Sequence, residues 1–148
     1  MKIASFITAR LKSQRLKRKV LLPICGRPML GHLVDRLRHS KKCHRIVLCT
    51  STIDQDDDLE KFALKEGLDC FRGHPDDVML RLRDAADFYN IDVISSCTAD
   101  NPLIDNLFMD ELIDYHTLKF NKLKYRNTRG GMREVSIEQL STFIFNKM

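Results

Sequence analysis

The chain has 148 residues, 43% of them hydrophobic, and a formal net charge of +5, which fits one globular domain large enough to bury a core. Its apolar runs fall short of a membrane span, and the first one breaks at Arg10 without a small-residue cleavage pattern, so neither a transmembrane helix nor a signal peptide is expected. The start reads as native and the protein as cytoplasmic. The five cysteines (Cys25, Cys43, Cys49, Cys70, Cys97) include no C-x-x-C pair, which argues against a zinc site or a disulfide framework and for mostly buried thiols in a reducing compartment.

Along the chain, apolar runs alternate with helical periodicity. Residues 2–9 read as a buried strand carrying Ile3, Ala4, Phe6 and Ile7. Met29, Leu30, Leu33, Val34 and Leu37 recur at helical spacing behind Pro28, a residue suited to a helix start. Residues 45–50 form a second strand, and Leu59, Phe62 and Ala63 mark a helix ending near Gly67. A short third strand covers 69–72. Pro75, Asp76 and Asp77 then open a helix whose apolar face is Val78, Leu82, Ala85, Ala86 and Tyr89, with the acids suiting the helix dipole. Residues 92–97 are a fourth strand, 100–102 a turn and 106–119 a helix. Beyond these, 122–127 and 134–137 read as strands around a turn at 128–131, and 138–146 as a short helix. The apolar ending at 143–148 is expected to pack on something.

This order predicts an α/β fold with a mostly parallel sheet covered on both faces, in one domain over 1–148. Ligands of such sheets sit beyond the C-terminal strand ends. Three loops fall there, at 10–19, 72–77 and 98–105. Six of the ten residues at 10–19 are basic (Arg10, Lys12, Arg15, Lys17, Arg18, Lys19), a pattern that suits a polyphosphate and also fits a solvated loop. There is no G-x-x-x-x-G-K-[ST] and no G-x-G-x-x-G. Arg10, Arg15 and Lys19 are the candidate phosphate ligands, with Ser13 a hydroxyl donor. Asp100, just past the fourth strand, can bind Mg²⁺, or serve with Asp105 as a turn and cap residue. Arg72 could reach a base or phosphate, Gly73 could let backbone approach a ligand, and Asp76 and Asp77 read chiefly as helix-start acids. Asp54, Asp56, Asp57 and Asp58 lack the Gly and Glu of a calcium loop and read as a solvated run entering a helix. The five histidines have no metal-ligand spacing, and none receives a role. The basic loop has no interleaved aromatics, so nucleic acid is not an expected partner.

Three segments together resemble the cytidylyltransferases that activate sugar acids: Ala9-Arg10-x-x-Ser13-x-Arg15-Leu16-x-x-Lys19-Val20-Leu21-Leu22-Pro23, Phe71-Arg72-Gly73-x-x-x-Asp77-Val78, and Thr98-x-Asp100-Asn101-Pro102-Leu103-Ile104-Asp105. The branch resembled is the spore-coat polysaccharide biosynthesis SpsF type, related to acylneuraminate and Kdo cytidylyltransferases. The resemblance implies a Rossmann-like α/β/α sandwich, the nucleotide-diphosphosugar transferase fold. It also implies transfer of CMP from CTP to a sugar acid, with Mg²⁺ as cofactor, no membrane partner and a homodimer. By analogy Ala9, Arg10, Ser13, Arg15 and Lys19 hold the nucleotide, Arg15 and Lys19 act in catalysis, Arg72, Gly73, Asp77 and Thr98 border base and ribose, and Asp100 binds metal. Many relatives carry glycine where this chain has Lys12, Arg18 and Ala99, and relatives run longer, so the chain reads as C-terminally shortened. An arginine at 18 lacks glycine's freedom at positive φ, and Ala99 would crowd the approach to Asp100. Two alternatives follow: a catalytically degenerate nucleotide-binding module, and a nucleotide-sugar glycosyltransferase using the Asp-x-Asp patterns at 54–58.

Overall fold

The computed structural model describes residues 1–12 and 16–120 and the strand at 142–146. In chain order the elements are β1 (Ile3–Thr8), a 3-10 turn (Lys19–Leu21), β2 (Pro23–Ile24), β3 (Arg27–Pro28), α1 (Met29–Leu37), β4 (Arg45–Ser51), a second 3-10 turn (Asp54–Asp56), α2 (Asp57–Glu66), β5 (Asp69–Gly73), α3 (Val78–Tyr89), β6 (Val93–Thr98), α4 (Asn106–Phe120) and β7 (Thr142–Asn146). Five strands form one sheet in the order β5-β4-β1-β6-β7. The first four are parallel, and β7 runs antiparallel to β6.

Alternation along the strands sorts side chains onto the two faces. Ile3 and Ile7 of β1 join Leu48, Val93 and Cys97 in a core closed by α1, α2 and α4, through Leu30, Leu33, Leu59, Phe62, Met109 and Ile113. Ala4 and Phe6 face the other way, where Val47, Cys49 and Ile94 pack against Leu82, Ala85 and Ala86 of α3. The expected α/β sheet with helices on both faces is therefore present. From β1 the chain steps outward to β4 and β5, then returns across to β6. The connections leaving β1 and β6 thus diverge at the C-terminal ends of two adjacent strands, where an open α/β sheet forms a crevice.

Several local expectations change. The short helix expected at 138–146 is, at Thr142–Asn146, a strand, because Thr142, Phe143, Ile144 and Phe145 favour a pleated ladder and β6 offers an open edge. Within the apolar ending, the backbone of this strand pairs with β6. The strands and turn expected within 122–137 lie outside the described residues. The β2–β3 hairpin, unforeseen, turns on Cys25 and Gly26, both at positive φ (50° and 81°), as a two-residue loop between right-twisted strands requires. Val78 is exposed rather than on the apolar face of α3, and Arg81 occupies a buried position on that helix instead. Of the cysteines, only Cys49 and Cys97 are fully buried, Cys43 and Cys70 are half-buried and Cys25 is exposed.

One ion-pair network locks the hairpin to the helical layer. Arg27 donates from Nε and Nη2 to Asp35 at 2.7 and 2.8 Å, and from Nη1 and Nη2 to Glu66 at 3.1 and 2.9 Å. Arg38 adds a bond from Nη2 to the Glu66 carbonyl at 2.7 Å. Gly31 makes room for it, since a Cβ there would lie 2.8 Å from Arg27 Nε. Arg27 hydrogen bonding holds the Glu66 carboxyl below its ordinary range. A depressed folded value places this stabilisation above the unfolded carboxyl pKa and removes it as pH falls through the folded value. Glu66→Gln should accordingly lower the unfolding free energy near neutrality by about 2 kcal/mol, because its carboxylate takes charged hydrogen bonds in a mostly buried position. In urea melts the difference from the parent should vanish below the acid range.

Candidate functional site

Two connections leave the adjacent C-terminal ends of β1 and β6 and flank the crevice expected there. The first leaves β1 at Ala9, whose amide still donates to Cys49 O at 3.1 Å, extending the sheet pattern by one residue. The second leaves β6 at Thr98, with the Ala99 amide donating to Thr8 O at 3.0 Å. Both connections therefore start from fixed positions, and the side chains they carry are aimed by the sheet.

Across the crevice, Lys19 Nζ lies 2.5 Å from Asp100 Oδ2. The 3-10 turn at Lys19–Leu21 presents this lysine, its amides Leu21 N and Leu22 N donating to Arg18 O and Lys19 O at 2.9 and 3.2 Å. The Lys19 ammonium foremost, then a Thr98 hydrogen bond, hold the Asp100 carboxyl below the usual range, so it stays ionised at neutral pH. Both partners are partly open to solvent. The pair is a cation and an anion that a charged ligand can separate.

Arg10 points toward the β5–α3 connection and pairs with Asp76 at 3.2 Å. Its Nε is buried and has no hydrogen-bond partner among the described residues. The connection it meets is braced internally. His74 Nδ1 accepts from the Asp76 and Asp77 amides at 3.2 and 2.8 Å, and Asp77 Oδ1 accepts from Leu80 N at 2.9 Å as the N-cap of α3. Arg81, almost wholly buried, donates from Nη1 to His74 O at 2.6 Å. Burial lowers its pKa.

The least expected residue is Asp56. It is buried, its Oδ1 accepts from Leu11 N at 2.8 Å, and its Oδ2 accepts from the Ser51 hydroxyl. One carboxylate thus ties the basic loop to the end of β4. The acidic run at 54–58 gave no sign of this, because a buried anchor and a solvated helix start look alike in sequence.

The residues singled out from the sequence fall into three groups. Lys19, Thr98 and Asp100 come together, with Arg10 on the same connection from β1. Ser13 and Arg15 lie outside the described residues. Arg72, Gly73, Asp77 and Ala9 have work within the protein. Arg72 donates to Ser51 O and Ile53 O at 3.0 and 2.9 Å and pairs with Asp57 and Glu60 at 2.7 and 2.8 Å, so its guanidinium braces the β4–α2 connection. Gly73 is small because a Cβ would meet Phe71 Cε1 at 2.8 Å and Arg81 Cγ at 3.0 Å. Ala9 sits in the core, as does Ala99, whose methyl packs inward rather than across the approach to Asp100. Asp105 is a helix cap, accepting from Leu107 N and Phe108 N at 2.9 and 3.1 Å. The Asp-x-Asp patterns are committed elsewhere: Asp56 to Leu11, Asp57 to Arg72, and Asp58 to Arg18 and Lys61. Among the described residues no three His, Cys, Asp or Glu side chains converge on a metal position, and no helix is long and apolar enough to cross a membrane.

Comparison with known proteins bears on this geometry. Residues 4–143 match the cytidylyltransferase family. The chain is 37% identical over 93% of its length to an uncharacterized protein of Methanocaldococcus jannaschii, covering 56% of that protein. It is 36% identical over 77% of its length to the spore coat polysaccharide biosynthesis protein SpsF of Bacillus subtilis, covering 49% of it. An 8-amino-3,8-dideoxy-manno-octulosonate cytidylyltransferase of Shewanella amazonensis is 29% identical over 77% of the chain, with 47% of that enzyme covered. The chain thus spans about half the length of the curated relatives it matches. Among solved structures, a cytidylyltransferase from Leptospira borgpetersenii superposes with a TM-score of 0.83 at 32% identity, over 99% of this chain and 61% of that one.

Replacing Asp56 by alanine leaves a buried amide and a buried hydroxyl without their acceptor. The expected loss is about 3 kcal/mol of unfolding free energy, the sum of two desolvation penalties. Denaturant melts of the parent and of Asp56→Ala measure it.

Proposed function

Because the chain belongs to the cytidylyltransferase family, we propose that it carries the CTP site of an enzyme that transfers CMP to a sugar acid in surface-glycan biosynthesis. The observation that carries this reading is the Lys19–Asp100 pair at the crevice between β1 and β6, with Arg10 beside it. Similarity to the spore coat polysaccharide biosynthesis protein SpsF and to an 8-amino-3,8-dideoxy-manno-octulosonate cytidylyltransferase supports the substrate class. Residues 1–148 act as one nucleotide-binding domain, and a homodimer is taken as the working assembly.

In this proposal Arg10, Ser13, Arg15 and Lys19 hold the triphosphate of CTP. A hydroxyl of the sugar acid attacks the α-phosphorus and gives up its proton to solvent, a new phosphorus–oxygen bond forms, and the bond to the bridging oxygen of the β-phosphate breaks to release pyrophosphate. Negative charge builds on the α-phosphoryl oxygens and on the leaving pyrophosphate. The Lys19 ammonium and the guanidiniums of Arg10 and Arg15 stabilise it. Thr98 borders the ribose and keeps Asp100 oriented. Arg72, Gly73 and Asp77 act through the connections they brace and so shape the wall facing the base.

Mg²⁺ fits the donor set present. That ion keeps most of its water and is held by one or two carboxylates together with substrate phosphates. One ionised, half-open carboxylate at Asp100 suits an ion that arrives with the nucleotide. When bound it would neutralise phosphate charge, and Lys19, released from Asp100, would be free to meet the phosphates.

Calorimetric titration with CTP, UTP, GTP and ATP, with and without Mg²⁺, tests the reading. CTP should bind best and only weakly without the ion. Lys19→Ala and Asp100→Asn should each weaken CTP about tenfold or more, the scale of one lost charged contact. Equal affinity for all four nucleotides, or parent-like binding by both variants, would overturn it. Release of pyrophosphate on adding CTP and a panel of sugar acids then separates an enzyme from a binding module.

A further inference from the structure

The basic loop is held at two places by the same short stretch of acid residues. Asp56 takes the Leu11 amide at the start of the loop. At its far end, Arg18 Nη2 lies 2.7 Å from Asp58 Oδ2. Arg18 also has an unusual backbone, with φ 57° and ψ 24° in the left-handed region. Side chains other than glycine, asparagine and aspartate rarely adopt it, because the Cβ crowds the following carbonyl. Nothing in the residue itself favours that conformation, so something around it must.

The conformation has a consequence for the next residue. Arg18 caps the 3-10 turn, and its carbonyl accepts from Leu21 N at 2.9 Å. Lys19, the next residue and the first of the turn, reaches Asp100 at 2.5 Å. If Arg18 moved to an ordinary conformation, the turn would open and Lys19 would swing off the crevice. We propose that the Arg18–Asp58 ion pair is a positioning device for Lys19, holding the left-handed backbone that aims this lysine at its site. The proposal rests on the reading of Lys19 as a phosphate ligand. Arg18 is therefore a positioning residue acting through Lys19.

The test uses Arg18→Ala, Arg18→Lys, Arg18→Gly and Asp58→Asn with two readouts. The first is hydrogen exchange of the Leu21 and Leu22 amides in the nucleotide-free protein, which reports whether the turn is formed. The second is CTP affinity with Mg²⁺ by calorimetry. Arg18→Ala should speed exchange at both amides and weaken CTP about fivefold, and Asp58→Asn about threefold, the scale of a partly exposed ion pair. Arg18→Lys keeps the pair and Arg18→Gly keeps the conformation, so both should stay close to the parent. The double variant Arg18→Ala, Asp58→Asn should be no worse than Arg18→Ala alone. Parent-like exchange in Arg18→Ala and Asp58→Asn would overturn the proposal. So would loss of CTP affinity in Arg18→Gly with exchange unchanged, which would make Arg18 a direct phosphate ligand. If the parent itself binds no CTP, the proposed function fails while the exchange data still decide the role of Arg18.

Discussion

A single buried carboxylate supports the site. Asp56 accepts the Leu11 amide on one oxygen and the Ser51 hydroxyl on the other. Leu11 itself is buried against the core beside Ala9 and Val20. A loop with six cations in ten residues would repel itself off the surface if only charge were at work. A charge-assisted bond to a backbone amide in a dry position fixes the start of that loop instead.

The neighbouring connections follow the same economy. Arg72 spans Ser51 O, Ile53 O, Asp57 and Glu60, so the segment that carries Asp56 is itself fixed. Arg81 and His74 do the equivalent for the β5–α3 connection. Hydrogen bonding to Glu60 raises the Arg72 pKa, as expected of a guanidinium used as a brace. Among the described residues, Lys19 and Asp100 pair across the crevice and Arg10 is held by Asp76. The described charges at the crevice are thus held by protein partners, the kind of preorganisation that stabilises developing charge. A cation with several protein partners braces a loop, and a cation with one exposed partner can exchange it for a phosphate.

The periodic signals carried the scaffold. Strands at Ile3–Thr8, Arg45–Ser51 and Val93–Thr98 are legible because they are continuous apolar runs, and α1 because its leucines repeat at helical spacing. Membership of the cytidylyltransferase family was legible as well, since three short segments resemble that family in order. Less legible were elements set by pairing. β7 exists because β6 has a free edge, and the β2–β3 hairpin because two residues accept positive φ. Thr142-Phe143-Ile144-Phe145 does not announce which of those competing structures it joins until its neighbour is in place.

The sequence by itself determined the alternation of strands and helices, the placing of three chemically rich loops at one end of the sheet, and the charge of the first of them. These are local properties, readable from composition and spacing. Only the tertiary structure decided which charges pair. It put Lys19 against Asp100 across 81 positions and Leu11 against Asp56 across 45. It gave Arg72 four protein partners around the β4–α2 connection, and it buried Asp56 where the acidic run suggested solvent. The reason is that a charge carries no mark of its partner: whether it faces a ligand, a counter-charge or an orphan amide depends on distances that exist only once the sheet has assembled.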